Sequence, residues 1–273
     1  METIQTGTII LMVIFIVAET IARFKKSFDE TEVKDRLSSI VLGISSLLVS
    51  LTMKGILIDV FTRNSNWTLL SISYSWKSML LLFIINDFIS YWYHRLAHHS
   101  RFFWATHIVH HSSQKYNLTV GIRESLVEGV YRFFYWIPLC LIGFSPLTVF
   151  MVDGLMVAYS GFLHTEFVGR LGFIERIFMT PSNHRVHHAS NPEYIDKNFG
   201  TVLVVWDKIF GTYIQESKKP TYGLTDGFLS YNPIKINIEE WKRMAGYIKV
   251  ARSMKDKLKI VFGSPAYVPE SAD

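Results

Sequence analysis

Five stretches of this chain are apolar enough to leave water. Residues 6–22 carry a single acid, Glu19, and residues 37–57 a single base, Lys54, near their end. Residues 69–93 hold Asp87 near their far end. Residues 126–144 and 147–163 are shorter, separated by Gly-Phe-Ser-Pro at 143–146. About 20 apolar helical residues cross a bilayer core, so the pattern predicts an all-α, polytopic membrane helical bundle with four or five membrane segments. The last two either form a full hairpin or only dip into the bilayer. No basic stretch precedes residues 6–22 and no small-residue cleavage site follows, so they read as an uncleaved anchor.

Downstream of Glu166 the chain turns polar. The β-branched run at 202–206 reads as a strand or a buried helical turn. Residues 236–258 place Ile238, Trp241, Ala245, Ile248 and Met254 among lysines and arginines. That spacing predicts a basic amphipathic helix, lying on a membrane surface or on the rest of the protein. The expected division is a membrane domain, 1–165, and a cytoplasmic helical cap, 166–273, acting as one unit.

Charge orients the bundle. Arg23, Lys25, Lys26, Lys34 and Arg36 lie between the first and second spans, whereas only Arg63 lies between the second and third. The positive-inside rule places the first loop in the cytoplasm, so the third span emerges there at His94. A hairpin from the last two spans would return His164 to the same face. A multi-pass protein facing the cytoplasm suits a bacterial inner membrane or the endoplasmic reticulum. Apolar residues make up 49% of the chain and charged ones 19%, with mean hydropathy +0.21. The net charge of +5 sits beside apolar segments, which favours a lipid surface over nucleic acid. One cysteine, Cys140, excludes an intrachain disulfide, a cysteine zinc site or an iron–sulfur cluster held by this chain alone.

All ten histidines fall between His94 and His188. Nine sit in three clusters: His94, His98 and His99; His107, His110 and His111; and His184, His187 and His188. His164 stands alone. Residues three and four apart share a helix face, so each cluster can aim two or three ring nitrogens at one point. Eight to ten imidazoles exceed what one ion uses, so the sequence predicts a dimetal site. His99 lies about 140° round a helix from His94, so it is an extra ligand or none. Asp87, two turns before His94, is placed to pair with Arg95 or Arg185 or to orient an imidazole. Glu166, Asp196, Asn198 and Asp207 could support ligands in the same way, and Arg185 would anchor a carboxylate or phosphate.

These residues resemble a known family. Tyr91-Trp-Tyr-His94-Arg-Leu-Ala-His98-His99, Trp104-Ala-Thr-His107-Ile-Val-His110-His111 and Thr180-Pro-Ser-Asn-His184-Arg-Val-His187-His188 are similar to the three histidine boxes of the fatty acid hydroxylase and sterol desaturase superfamily. The resemblance runs from about Asn86 to Tyr213. It implies two irons, O2 as oxidant, a membrane lipid substrate and electrons from outside the chain. The segments 117–119, 164–166, 195–200 and 206–212 are most similar to the alkylglycerol monooxygenase branch, which hydroxylates the carbon beside an ether oxygen with a tetrahydropterin as reductant. Ser160 stands where fatty acid 2-hydroxylases carry a further histidine, and His99 where the alkylglycerol branch has another residue. The resemblance implies hydroxylation of an ether lipid, sterol, carotenoid or acyl chain. No dinucleotide fingerprint is present, so the donor is a diffusible reductant or a redox-protein partner. A desaturase would use the same site. A zinc hydrolase lacks the usual His-Glu-x-x-His base, and a metal transporter would need ligands along a path across the bilayer.

Overall fold

The computed structural model describes residues 2–269, with side chains from Gly7 onward. Helix α1 (Glu2–Lys26) and helix α2 (Glu30–Arg63) form an antiparallel pair. Asp29 caps α2 by accepting from the Thr31 amide, and Glu30 and Glu32 complement the positive end of the helix dipole. Both helices are long and apolar enough to cross a bilayer. Ile10, Ile14 and Val17 on α1 and Ile44, Leu48 and Leu51 on α2 point outward without a protein partner surface. Such continuous exposed apolar faces do not suit water. This is a membrane protein.

Helix α3 (Trp76–His99) starts seven residues later than the apolar run at 69–93 implies. Ser75 and Ser78 form a reciprocal capping box that fixes the start, and the serines before it keep residues 68–75 in a loop. The helix then continues past Tyr93 and carries the whole first histidine box. Helix α4 (Arg101–His111) turns off its end and carries the second.

The segment expected at 126–144 is broken. Helix α5 (Leu126–Tyr131) and helix α6 (Phe133–Ile142) meet at Arg132, and helix α7 (Pro146–Phe162) follows after a tight turn. Gly143 has φ +129°, and a Cβ there would strike the Leu70 carbonyl, so this turn packs directly on the α2–α3 loop. Backbone bonds Leu69 N–H to Leu141 O (2.8 Å) and Leu70 N–H to Ile142 O (3.1 Å) join the two connections. The α6–α7 turn therefore reaches the end of the bundle opposite the histidines. The main core lies in that far half, around Leu57, Phe61, Leu82, Trp136, Leu139 and Phe150. The Lys54 ammonium lies 3.7 Å from Asp153 on α7 and 5.0 Å above the Trp136 ring.

Helix α8 (Pro181–His187), opened by a Thr180 cap and Pro181 in its first turn, carries the third box. The run at 202–206 splits: Leu203 makes an isolated bridge with Phe178, and helix α9 (Val205–Ile209) follows. The single helix expected at 236–258 is two, α10 (Pro233–Val250) and α11 (Met254–Phe262), because Ser253 caps a new helix start through the Asp256 amide. Helix α10 buries Ile236 against Val109 of α4 and Leu42 of α2.

Candidate metal centre

Nine of the ten imidazoles gather at one end of the bundle, in two groups. His94, His98, His107, His111 and His187 form one; His110, His164, His184 and His188 form the other. In each, the contributed ligand atoms lie within 4.8 Å of one another. The second and third boxes are each divided. His107 and His111, one helical turn apart, face one group while His110 between them faces the other; His184 and His188 mirror this, with His187 crossing over. The expectation that each cluster aims at a single point is thus corrected, because residues at i and i+4 share a face and the residue at i+3 is rotated away from it.

The nitrogen geometry tests whether metal fits. His164 Nε2 lies 3.2 Å from His110 Nε2, 3.0 Å from His188 Nε2 and 3.0 Å from His184 Nε2. In the other group His107 Nε2 is 3.0 Å from His94 Nε2 and 3.2 Å from His111 Nε2, which is 3.2 Å from His187 Nε2. One ring nitrogen holds one proton or one lone pair, so three close nitrogens around His164 cannot all be hydrogen-bonded to it. Two nitrogens each bound about 2.1 Å from a shared ion, at right angles, sit about 3.0 Å apart. The spacing suits coordination.

The opposite ring nitrogens settle which atoms carry lone pairs. The Nδ1–H of His94 donates to Phe199 O (2.9 Å), that of His187 to Lys197 O (2.9 Å), that of His110 to Arg123 O (3.1 Å) and that of His164 to Ser160 O (3.0 Å). Carbonyls only accept, so these rings are protonated at Nδ1 and present bare Nε2 atoms inward. The buried Nε2 of His98 has no hydrogen-bond partner among the described residues. Burial holds the rings of His107, His111, His184, His187 and His188 well below the ordinary histidine pKa, helped by repulsion from neighbouring imidazoles. Burial brings His110 down to about 4. Neutral rings with converging lone pairs repel one another, and a cation relieves that repulsion.

His99 stands apart from both groups. It is exposed, and its Nδ1–H donates to Arg95 O of its own helix at 2.9 Å. Of the proposed supporting residues, Asp196 touches a ring, its Oδ1 lying 3.3 Å from His98 Nδ1. Asp196 and Asn198 both adopt left-handed backbone, φ +56° and +55°, and bracket the Lys197 carbonyl that receives His187. Such residues are costly by about 1–3 kcal/mol each. Asn198 is held there by bonds to Asn183 O (3.0 Å), Ile214 O (2.8 Å) and Ile214 N–H (2.9 Å).

Asp207 accepts from Phe199 N–H (2.7 Å), Gly200 N–H (2.8 Å) and the Thr212 hydroxyl (2.7 Å). The Gly200 N–H shares its peptide with the Phe199 carbonyl that orients His94, so Asp207 holds that peptide directly. Asp87 makes none of the pairings expected of it. It accepts from Val202 N–H (3.0 Å), Leu203 N–H (3.2 Å) and Trp206 Nε1–H (2.8 Å), because the segment 202–206 folds three donors onto α3 at that level. Arg185 grips the Glu216 carboxylate at 3.0 and 2.7 Å and the carbonyls of Thr165 and Val168. Glu166 pairs with Arg23 at 2.9 Å, away from the rings.

Sequence reasoning missed the scaffold under the four-histidine group. Arg123, fully buried, reaches Asp35 Oδ1 (3.3 Å) and Val109 O (3.0 Å) while its own carbonyl receives His110. Glu19 accepts from Leu118 N–H (2.8 Å) and the Thr165 hydroxyl (2.9 Å). An acid inside an apolar run was the one available signal for it. Gly121 is required by close approach: a Cβ would sit 2.7 Å from Gly161 O and 3.0 Å from His164 Nδ1.

Residues 79–212 match the family model for fatty acid hydroxylase. The chain is 32% identical to alkylglycerol monooxygenase of Xenopus tropicalis, over 94% of this chain and 58% of that protein. It is 35% identical to alkylglycerol monooxygenase of Homo sapiens, over 86% of this chain and 53% of that one. An ornithine lipid hydroxylase of Rhizobium tropici is 34% identical over 50% of this chain and 41% of its own. The chain thus spans about half the length of the curated relatives it matches. No solved structure matches it.

Proposed function

The chain belongs to the fatty acid hydroxylase and sterol desaturase superfamily, and we propose that it inserts one atom of O2 into a C–H bond of a membrane lipid. The reaction consumes a lipid C–H, O2, two electrons and two protons, and yields a lipid alcohol and water. The observation that carries this reading is the pair of ring groups, each fit for one iron. Bound iron would supply the O2 reduction and the oxidising power toward the C–H bond. The five-histidine group would hold one ion and the four-histidine group the other, with His99 taking no part.

The protein's own work is orientation and exclusion of water. Carbonyls of Phe199, Lys197, Arg123 and Ser160 lock the tautomers, and burial keeps the rings neutral as the chemistry needs. Asp196 would fix the His98 ring from its outer nitrogen. We place α1, α2, α3 and the α6–α7 hairpin across the bilayer, with the histidine end at the cytoplasmic face. The bases at the end of α1 and the start of α2 (Arg23, Lys25, Lys26, Lys34 and Arg36) and the shared far end of the two remaining connections support that orientation. A lipid could then enter from the bilayer beside α3 without crossing water. The relatives' names favour an alkylglycerol, with hydroxylation beside the ether oxygen, over an ornithine lipid. The electrons come from outside, through a diffusible reductant such as a tetrahydropterin or a redox protein.

The test is incubation of the purified, iron-loaded chain with an alkylglycerol, a tetrahydropterin and ¹⁸O2, read by mass spectrometry. One labelled oxygen in the lipid product is expected. Loss of two hydrogens without label would make it a desaturase, and turnover without O2 would overturn oxygenation altogether.

A further inference from the structure

Helix α11 carries apolar residues on two faces, whereas a surface helix in water buries only one. Its inner face buries Ile260 fully. Its outer face exposes Met254 (69%), Leu258 (53%) and Phe262 (60%), spaced four apart in one stripe. Lys255 and Lys259 run alongside, also exposed. Lys249, Arg252, Lys255, Lys257 and Lys259 have no carboxylate partner among the described residues. Lys259 lies over the Tyr267 ring at 3.9 Å and the others have no such contact among the described residues; an apolar stripe flanked by cations without carboxylate partners is the pattern of a helix resting at a lipid–water boundary.

Its position agrees. The Arg101 amide donates to Gly263 O at 2.9 Å, and the Arg101 guanidinium donates to the carbonyls of Pro265 and Tyr267. Arg101 follows α3 after a single residue, so the C-terminal end of α11 is pinned where α3 leaves the bundle. Phe262 meets Phe102 at 6.3 Å, and Phe102 meets Tyr131 of α5 at 6.5 Å. On α5 and at the start of α6, Leu126, Val130 and Phe134 face outward. Phe262 thus lies on the same side as these outward-facing apolar residues, with Phe102 and the buried Tyr131 between them.

We propose that the outer face of α11 docks on an anionic lipid surface, with Met254, Leu258 and Phe262 inserted among the acyl chains and the lysines on the headgroups. This rests on the orientation given under Proposed function, in which α3 ends at the membrane surface. Docking would brace α4, which carries His107, His110 and His111 and packs beside α11.

The test places nitroxides on the full chain in lipid nanodiscs with and without anionic lipid, in a Cys140→Ala background. Labels at Leu258→Cys, Leu48→Cys on the outer face of α2 and Lys219→Cys on the exposed cap are compared for collision with O2 and with a water-soluble nickel chelate. Leu258 is expected to resemble Leu48 and to differ from Lys219. Lys255→Glu with Lys259→Glu should weaken that shielding in anionic discs only, by about fivefold per charge. A water-exposed Leu258 beside a lipid-shielded Leu48 overturns the docking and leaves the bundle orientation intact. A water-exposed Leu48 removes both. Spin–spin broadening at Leu258 would reveal a second copy as the occupant and overturn the lipid assignment, and shielding indifferent to charge reversal would overturn the anionic surface.

Discussion

The two ring groups draw on the same boxes but hang from different parts of the molecule. Three of the five-histidine group's rings, His94, His98 and His187, are oriented by the 196–199 loop, which Asp207 and Asn198 hold in place. The four-histidine group leans on the bundle instead, through Arg123 with Asp35 of α2 and the carbonyls that end α7. One site is therefore set by a loop and the other by helices. The loop is held by these polar bonds and by Phe199, whose fully buried ring packs against Tyr91, His94, His98 and His187.

Mutation can separate them. His187→Ala and His164→Ala each remove a ring from one group and should abolish lipid hydroxylation, dropping iron content from about two per chain toward one or none. Wild-type turnover in either, measured by product mass, would break the assignment of that ring. Asp207→Ala strands two buried amides, at about 1–3 kcal/mol each, and should empty the five-histidine group while sparing the other. Equal loss from both, read by metal analysis and by X-ray absorption for the number of imidazoles per iron, would mean the groups are not independently supported. Asp196→Ala removes the carboxylate partner of His98 at a left-handed backbone position that Ala tolerates less well. Loss of such a partner costs about 10–100-fold in metal affinity, so iron should be retained at saturation and leak on dialysis, whereas unchanged retention would remove Asp196 from the site. His99→Ala should change neither iron content nor turnover beyond error; a drop in either would return His99 to the ligand set.

The same contrast explains what the sequence could tell. Helices α1 and α2 were readable because an apolar run of that length has one stable answer, and nine of the histidines were readable as a convergent set. His99 was already suspect from its rotation about the helix axis, and its own backbone bond takes it away. The splitting of the second and third boxes follows from helix geometry once a second focus exists, yet no local pattern announces where that focus lies. Asp87 shows the limit most plainly. Its two-turn register with His94 is real, but its carboxylate satisfies two backbone amides and an indole N–H 115 and more residues away, and such long-range bonds leave no signature in spacing. The carbonyls that orient the rings are invisible for the same reason, since every residue has one. The break between α10 and α11 was missed because the helical period of the apolar positions ran on through Ser253, whose side chain starts a new helix.

The central claim is that nine imidazoles enclose two metal ions, five rings to one and four to the other. An anomalous difference map collected at the iron edge from crystals of the iron-loaded chain tests it directly. Two peaks are predicted, one ringed by His94, His98, His107, His111 and His187 and one by His110, His164, His184 and His188, with none at His99. A single peak, or a peak outside either ring group, would contradict it.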